Sequence, residues 1–145
     1  MISQTAEYAL RAMVFLAIRE SAATGQEIAR ATQVPPGYLS KVMQQLAREK
    51  LVKSQRGMGG GFMLARQPES ISILDIVNAV DPIEKILVCP LGIQGHGLNL
   101  CPLHKRLSEA TAQVEDAFAR STLSELIVES KNPLCSVPLT PSHQA

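Results

Sequence analysis

Tryptophan is absent from this 145-residue chain, and only two tyrosines and three phenylalanines are present. Its core must therefore be built from Leu, Ile, Val, Met and Ala. Long apolar runs are missing too. The longest, Ala12–Ile18, lies between Arg11 and Arg19, far short of the ~20 residues that cross a bilayer as a helix. No membrane partner is expected. The opening residues lack the basic, apolar and small-residue succession of a secretory signal, so the expected compartment is the cytoplasm. Cysteine is scarce: Cys89, Cys101 and Cys135. An odd count with no export signal argues against a disulfide framework and leaves reduced thiols, a metal site or a redox site. A strong charge of one sign is also absent, the net value being +1. What the chain has in quantity is apolar aliphatic residue. Hydrophobic types make up 46% and charged types 19%, which excludes wholesale disorder and suits one domain with an appendage.

The near-zero net charge hides an asymmetry. Residues 1–66 carry nine Lys and Arg against four Glu, a balance of +5, whereas residues 67–145 carry five bases against nine acids, a balance of −4. A basic first half points to a polyanion-binding module followed by a different unit.

Residues 3–20 read as a helix with Leu10, Met13, Val14 and Ala17 at i, i+3, i+4, i+7. Thr24-Gly25-Gln26-Glu27 has capping-box form and opens a second helix to about Ala31. Pro35-Pro36 ends it and suits the first turn of a third, residues 37–50, with Leu39, Val42, Met43 and Leu46 as its inner stripe. Two short strand-like runs, 51–54 and 62–65, flank the glycine-rich turn 55–61 and read as a β-hairpin. Ser70–Val80 reads as a further helix, and Leu103–Arg120 as a long one with a narrow seam of Leu107, Thr111, Val114 and Phe118. Such a seam among polar flanks suits pairing with a second copy. Thr122-Leu123-Ser124-Glu125 opens a short last helix.

The expected fold is thus mainly α with a small β-hairpin wing: a winged helix-turn-helix plus a long dimerisation helix. The division expected is a DNA-binding domain (1–80), a cysteine-containing sensor loop (81–102), dimerisation and C-terminal helices (103–131) and a flexible tail (132–145). In the third helix the stripe leaves Ser40, Lys41, Gln44 and Arg48 outward, flanked by Tyr38 and Gln45. Amides and hydroxyls of this reach suit base edges in double-stranded DNA, and the cations suit phosphates. On the hairpin, Arg56 at a glycine turn suits a narrow minor groove, with Lys53 and Ser54 beside it for phosphates. The glycines do not form a nucleotide loop, because a strand follows them where a helix is required.

The run Leu51–Ala65, LVKSQRGMGGGFMLA, closely resembles the wing of the Rrf-two family of bacterial winged helix-turn-helix transcriptional regulators (the IscR/NsrR-like family). Tyr8-Ala9-Leu10-Arg11-Ala12, Tyr38-Leu39 and Ser72–Val77 also match, over roughly residues 1–128. The resemblance implies a homodimeric DNA-binding regulator, assigns the minor-groove role to Arg56, and implies an iron–sulfur cluster in several members. Cys89 matches the first cysteine of the family's sensor loop, Cys101 the third, and His104 the histidine just after it. Gly95, with His96 beside it, stands where a middle cysteine is expected. Glu7 lies where nitric-oxide-sensing members place an acidic ligand from the partner subunit. Around the third helix, Pro35, Pro36, Gly37 and Ser40 depart from the serine-rich, glutamate-bearing family pattern, so an operator sequence does not carry over.

The residues themselves suit such chemistry. Pro102 as a first helical residue puts Cys101 at an N-cap, where free N–H groups favour a thiolate, and His104 lies one turn on along the same face. The metal ligands expected are Cys89, Cys101, His104 and Glu7, with a 2Fe–2S cluster preferred over a 4Fe–4S one. The function expected is a cytoplasmic homodimeric regulator, a repressor, sensing iron–sulfur, nitric oxide or redox status, and not an enzyme. Three alternatives stand beside it: the same regulator with a cluster-free thiol switch, a small redox or metal enzyme centred on Cys89, Cys101 and His104, and a protein-binding winged helix. The enzyme reading lacks a CxxC pair or a nucleophile elbow.

Overall fold

The computed structural model describes residues 2–93 and 99–128. The chain order is helix α1 (Gln4–Arg19), α2 (Gly25–Thr32), α3 (Pro36–Arg48), strands β1 (Val52–Gln55) and β2 (Gly61–Leu64), then α4 (Ile73–Val80), α5 (Pro102–Arg120) and α6 (Leu123–Val128). This is the winged helix-turn-helix order read from the sequence, followed by a long helix.

Small side chains let α1 become the centre of the domain. Ala6, Ala9, Ala12, Met13, Phe15 and Leu16 are buried to 2% exposure or less, and α2, α3, α4, α6 and β2 all pack on this helix. The predicted stripe of α1 is too narrow: apart from Leu10 its members are buried, but Tyr8 and Phe15 on other faces are buried too. Ser3 caps the helix by accepting from the Ala6 N–H at 3.1 Å.

α2 opens as predicted. The Thr24 hydroxyl accepts from the Glu27 N–H at 3.2 Å, and the Glu27 carboxylate accepts from the Thr24 N–H at 2.8 Å. This reciprocal cap satisfies two otherwise orphaned donors. α3 starts at Pro36 and buries Leu39, Val42, Met43 and Leu46, the stripe predicted for it. Burying a side chain of this size contributes about 1.5–3 kcal/mol relative to leaving it in water.

The hairpin pairs antiparallel, Val52 with Leu64 through Gln55 with Gly61, one residue displaced from the predicted runs. The outer edge of β2 is fastened close to the turn. Phe62 donates to the Ala23 carbonyl at 2.7 Å and Ala23 donates back at 2.9 Å, adding a third, one-residue strand to the wing.

The predicted helix at Ser70–Val80 divides. Pro68–Ser70 forms one 3-10 turn, and α4 starts at Ile73 because Ser72 and Asp75 make a further capping box. The N-termini of α4 and α6 are joined by an isolated bridge, with Ile73 donating to Ser121 at 2.9 Å and Leu123 donating to Ile71 at 2.8 Å. Leu123 is fully buried by it.

α5 has no buried residue. Thr111, Val114 and Phe118 lie half-buried over Val77 and the segment Asp81–Ile86, leaving a cleft of about 450 Å³ that Ile2 and Ser3 also line. Lys85 and Glu115 form an ion pair at 3.2 Å across this junction. Leu103 and Leu107 stay 63% and 46% exposed.

Candidate nucleic-acid interface and sensor loop

The α3 stripe fixes the rotation of that helix, so its other face is presented to solvent. Tyr38, Ser40, Lys41, Gln44 and Arg48 are exposed. Gln45 is the exception among the residues predicted to read DNA. It is half-buried, and its Nε2 donates to the Val80 carbonyl at 3.4 Å. One position beyond Gln44 turns the side chain about 100°, far enough to face the end of α4. Gln45 therefore ties α3 to α4, unlike the exposed residues beside it.

β1 follows α3 closely. Lys50 takes a left-handed conformation (φ 58°) and the Leu51 N–H donates to the Leu46 carbonyl at 3.0 Å, which turns the chain into the wing. Lys53, Ser54 and Arg56 are exposed along it. Gly57 and Gly59, with φ of 94° and 73°, make the tip. Gly61 is required for a different reason. A Cβ there would lie 2.2 Å from the Ala23 carbonyl oxygen, so only glycine lets the wing approach the α1–α2 connection. Lys41, Arg48, Lys53 and Arg56 enter no ion pair among the described residues, and their charges are left for an external anion.

Two aromatic contacts support this face, and the first carries no local sequence signal. The Tyr8 ring meets Tyr38 edge-on with centroids 6.2 Å apart, and the Arg11 guanidinium lies 5.8 Å from the Tyr8 ring centre. Arg11 also donates to the Thr32 carbonyl at 3.4 Å and pairs with Glu7. The Glu7–Arg11 pair at i,i+4 and the Tyr8–Arg11 contact at i,i+3 follow from helical spacing. Beside the wing, Arg19 pairs with Glu27 at 3.1 Å. The Thr24 N–H first, and Arg19 next, hold the Glu27 carboxyl below its ordinary range against the opposing effect of burial.

In the sensor loop the structure brings together part of the predicted set. Cys101 is the N-cap of α5, and its Sγ lies 3.1 Å from His104 Nδ1. Cys89 is half-buried in the turn closed by the Gly92 N–H on its own carbonyl at 3.1 Å. Among the described residues of one chain, no group of three or more His, Cys, Asp or Glu side chains is placed to hold a metal ion. Cys89 and Glu7 therefore do not join Cys101 and His104 within a single chain, and this pair alone does not fit a cluster, which takes four protein ligands in most sites. Gly95, His96 and Cys135 lie outside the described residues.

A basic hairpin fastened beside an exposed polar helix defines the class: a winged helix-turn-helix transcriptional regulator. The chain belongs to the Rrf2 family, whose signature, described as "Iron-dependent Transcriptional regulator", matches residues 2–129. It is similar to the regulator IscR of Cereibacter sphaeroides, 30% identical over 144 residues and covering 94% of this chain and 93% of that protein. It is similar to the regulator NsrR of Bacillus licheniformis, 27% identical over 84% of this chain and 88% of that one. In structure it resembles CymR, the global cysteine regulator of B. subtilis, with a TM-score of 0.74 and 26% identity over 90% of this chain and 98% of the other. Family and relatives are transcriptional regulators rather than enzymes, and the family implies DNA binding. Among the described residues no helix is long and apolar enough to cross a membrane.

Proposed function

We propose that the protein is a homodimeric repressor that reads double-stranded DNA with α3 and the wing. The observation that carries this is the pairing of an exposed polar face (Ser40, Lys41, Gln44, Arg48) with Arg56, a cation in no ion pair among the described residues, on an adjoining hairpin. Gln44 reads a base edge in the major groove, and Lys41 and Arg48 hold phosphates. Arg56 enters the minor groove, with Lys53 and Ser54 on the flanking backbone. Dimerisation runs through α5, whose exposed Leu103 and Leu107 suit a second copy, and sets two α3 helices on half-sites about 34–36 Å apart.

The domain boundaries follow the same division: reading module 1–80, sensor loop 81–102, pairing helices 103–131, tail 132–145. For the loop we put forward Cys101 and His104 as the start of a 2Fe–2S site that would be completed only if the Cys89 turn closed on them and Glu7 of the partner subunit joined them in the dimer. A cluster-free thiol switch at Cys101 is the second reading. It is favoured by the 3.1 Å approach of His104 to the Cys101 sulfur.

Affinity selection of genomic fragments tests the DNA reading, and Arg56→Ala is expected to weaken the recovered duplex about tenfold or more, the range of a lost charge-assisted contact. Unchanged binding would remove the wing assignment. Anaerobic purification with iron and acid-labile sulfide analysis separates the two sensor readings: both elements, lost in Cys89→Ala, support the cluster, and an iron-free parent leaves the thiol switch.

A further inference from the structure

We propose that Met58 is an apolar DNA contact, a thioether wedge at the wing tip that works beside Arg56 at a minor-groove base step. The proposal deepens the DNA-binding reading and rests on it. Four methionines are described. Met13 and Met43 are core residues at 0% and 1% exposure, Met63 is half-buried on β2, and Met58 is fully exposed.

A single exposed apolar side chain is ordinary on a protein surface, but the setting of Met58 is not. Its chain neighbours Gly57 and Gly59 have no side chains to cover it. The turn beneath is closed by the Gly60 N–H donating to the Gly57 carbonyl at 3.0 Å, and β2 is fastened to Ala23 by two hydrogen bonds of Phe62, close below the turn. The tip therefore projects the thioether away from the domain on a supported ribbon, with no protein surface for it to fold onto.

Its position matches what a minor groove demands. The groove is about 6 Å wide in B-form DNA, and methionine is slim, unbranched and polarizable. Arg56, two residues earlier, supplies the attraction to a narrow groove with enhanced negative potential. Apolar side chains inserted between base steps partially unstack them and kink the duplex, and methionine is among the residues used this way. Cation and wedge on one turn divide these tasks, so flexible pyrimidine–purine steps are the expected target.

The test uses the full-length protein and a duplex recovered by affinity selection with it, carrying 2-aminopurine at the minor-groove step nearest the wing. Met58→Ala and Met58→Gln are expected to bind about tenfold more weakly, the loss from uncovering most of one apolar side chain. Met58→Leu should stay within about twofold of the parent. The fluorescence rise that reports unstacking should appear with the parent and Met58→Leu and be absent with the other two. Because Met58 is fully exposed among the described residues, thermal midpoints should not move. Parent-like affinity and fluorescence in Met58→Ala or Met58→Gln would overturn the wedge while leaving the DNA-binding reading standing, as would a Leu variant as weak as the Ala variant. If the parent recovers no duplex, the DNA-binding reading falls, and the wedge with it.

Discussion

Replacing Gly61 by alanine asks whether the wing is a fastened part of the domain or an independent ribbon. Gly61 has a φ of 137°, and an added Cβ would sit 2.2 Å from the Ala23 oxygen, 2.4 Å from its carbonyl carbon and 2.8 Å from the Thr24 nitrogen. All three are backbone atoms, so no side-chain rotation relieves the clash. The backbone strain of alanine at such a φ costs about 1–3 kcal/mol. If the hairpin instead moves off Ala23, it gives up the Phe62–Ala23 pair of hydrogen bonds (2.7 and 2.9 Å), at roughly 0.5–1.5 kcal/mol each. Staying in place adds the clash to that strain, so moving off, at about 1–3 kcal/mol for the two bonds, is the cheaper route and sets the outcome. Urea denaturation should show that loss, and the thermal midpoint should fall by roughly 3–10 °C for a chain of this size. Gly37→Ala is the control. Gly37 lies in the first turn of α3 with open space around its Cβ position, and alanine there should stabilise by about 0.4–1 kcal/mol. A Gly61→Ala variant as stable as the parent would refute the close approach and, with it, the fixed placement of Arg56.

Leu107 is 46% exposed on α5, so Leu107→Glu should leave the protomer folded while shifting sedimentation from dimer to monomer; a dimer that survives would move the pairing surface elsewhere. Leu123→Ala empties a fully buried position under the α4–α6 bridge and should cost about 2–5 kcal/mol in urea denaturation. Glu27 has its carboxyl held below the ordinary 4.5 by the Thr24 N–H and Arg19. A depressed folded-state value means that this stabilisation is present above the unfolded value and is lost as pH falls through the folded one. Parent and Glu27→Gln should therefore differ in stability at pH 7, and the difference should shrink on acidification below about 4.5; a gap that holds constant down to pH 3 would contradict the ionised cap.

Much of this fold was legible because its signals are local. The α3 stripe depends only on a 3.6-residue period, and all four of its members are buried. The capping boxes at Thr24 and Thr122 require partners three residues away and are found at both sites. The equivalent box at Ser72 escaped because Asp75, rather than Glu or Gln, occupies its third helical position, so Ser70–Val80 read as one helix. The tie of Gln45 to α4 has a tertiary cause. Its acceptor, the Val80 carbonyl, lies 35 residues along the chain, and helical phase alone places it at the edge of the exposed face. The Tyr8–Tyr38 contact is 30 residues long-range in the same way. In the sensor loop, the Cys101–His104 approach follows from i,i+3 spacing. The separation of Cys89 from that pair does not, because spacing says nothing of the path a non-periodic segment takes.

Any signal taken at the loop has one obvious mechanical route to the reading helix, and it runs through α4. That helix packs on α1, α3 and α5. At its N-terminus it is bridged to α6 through Ile71 and Ser121, at its C-terminus its Val80 carbonyl accepts from Gln45 of α3, and just beyond it Lys85 pairs with Glu115 of α5. Cys101 begins α5, so a change in what Cys101 binds acts first on the end of a helix with no buried residue of its own. Such a helix can shift without opening the core, because Phe118 and Val114 only lean on the domain while Ile76 and Val77 are locked inside it. Interface helices shift by about 1–2 Å in transitions of this kind. Here that motion would be felt at α3 only as far as Gln45 and the Asp81–Ile86 segment transmit it. On the proposed DNA-binding reading, Gln45 would act through the angle at which it holds α3.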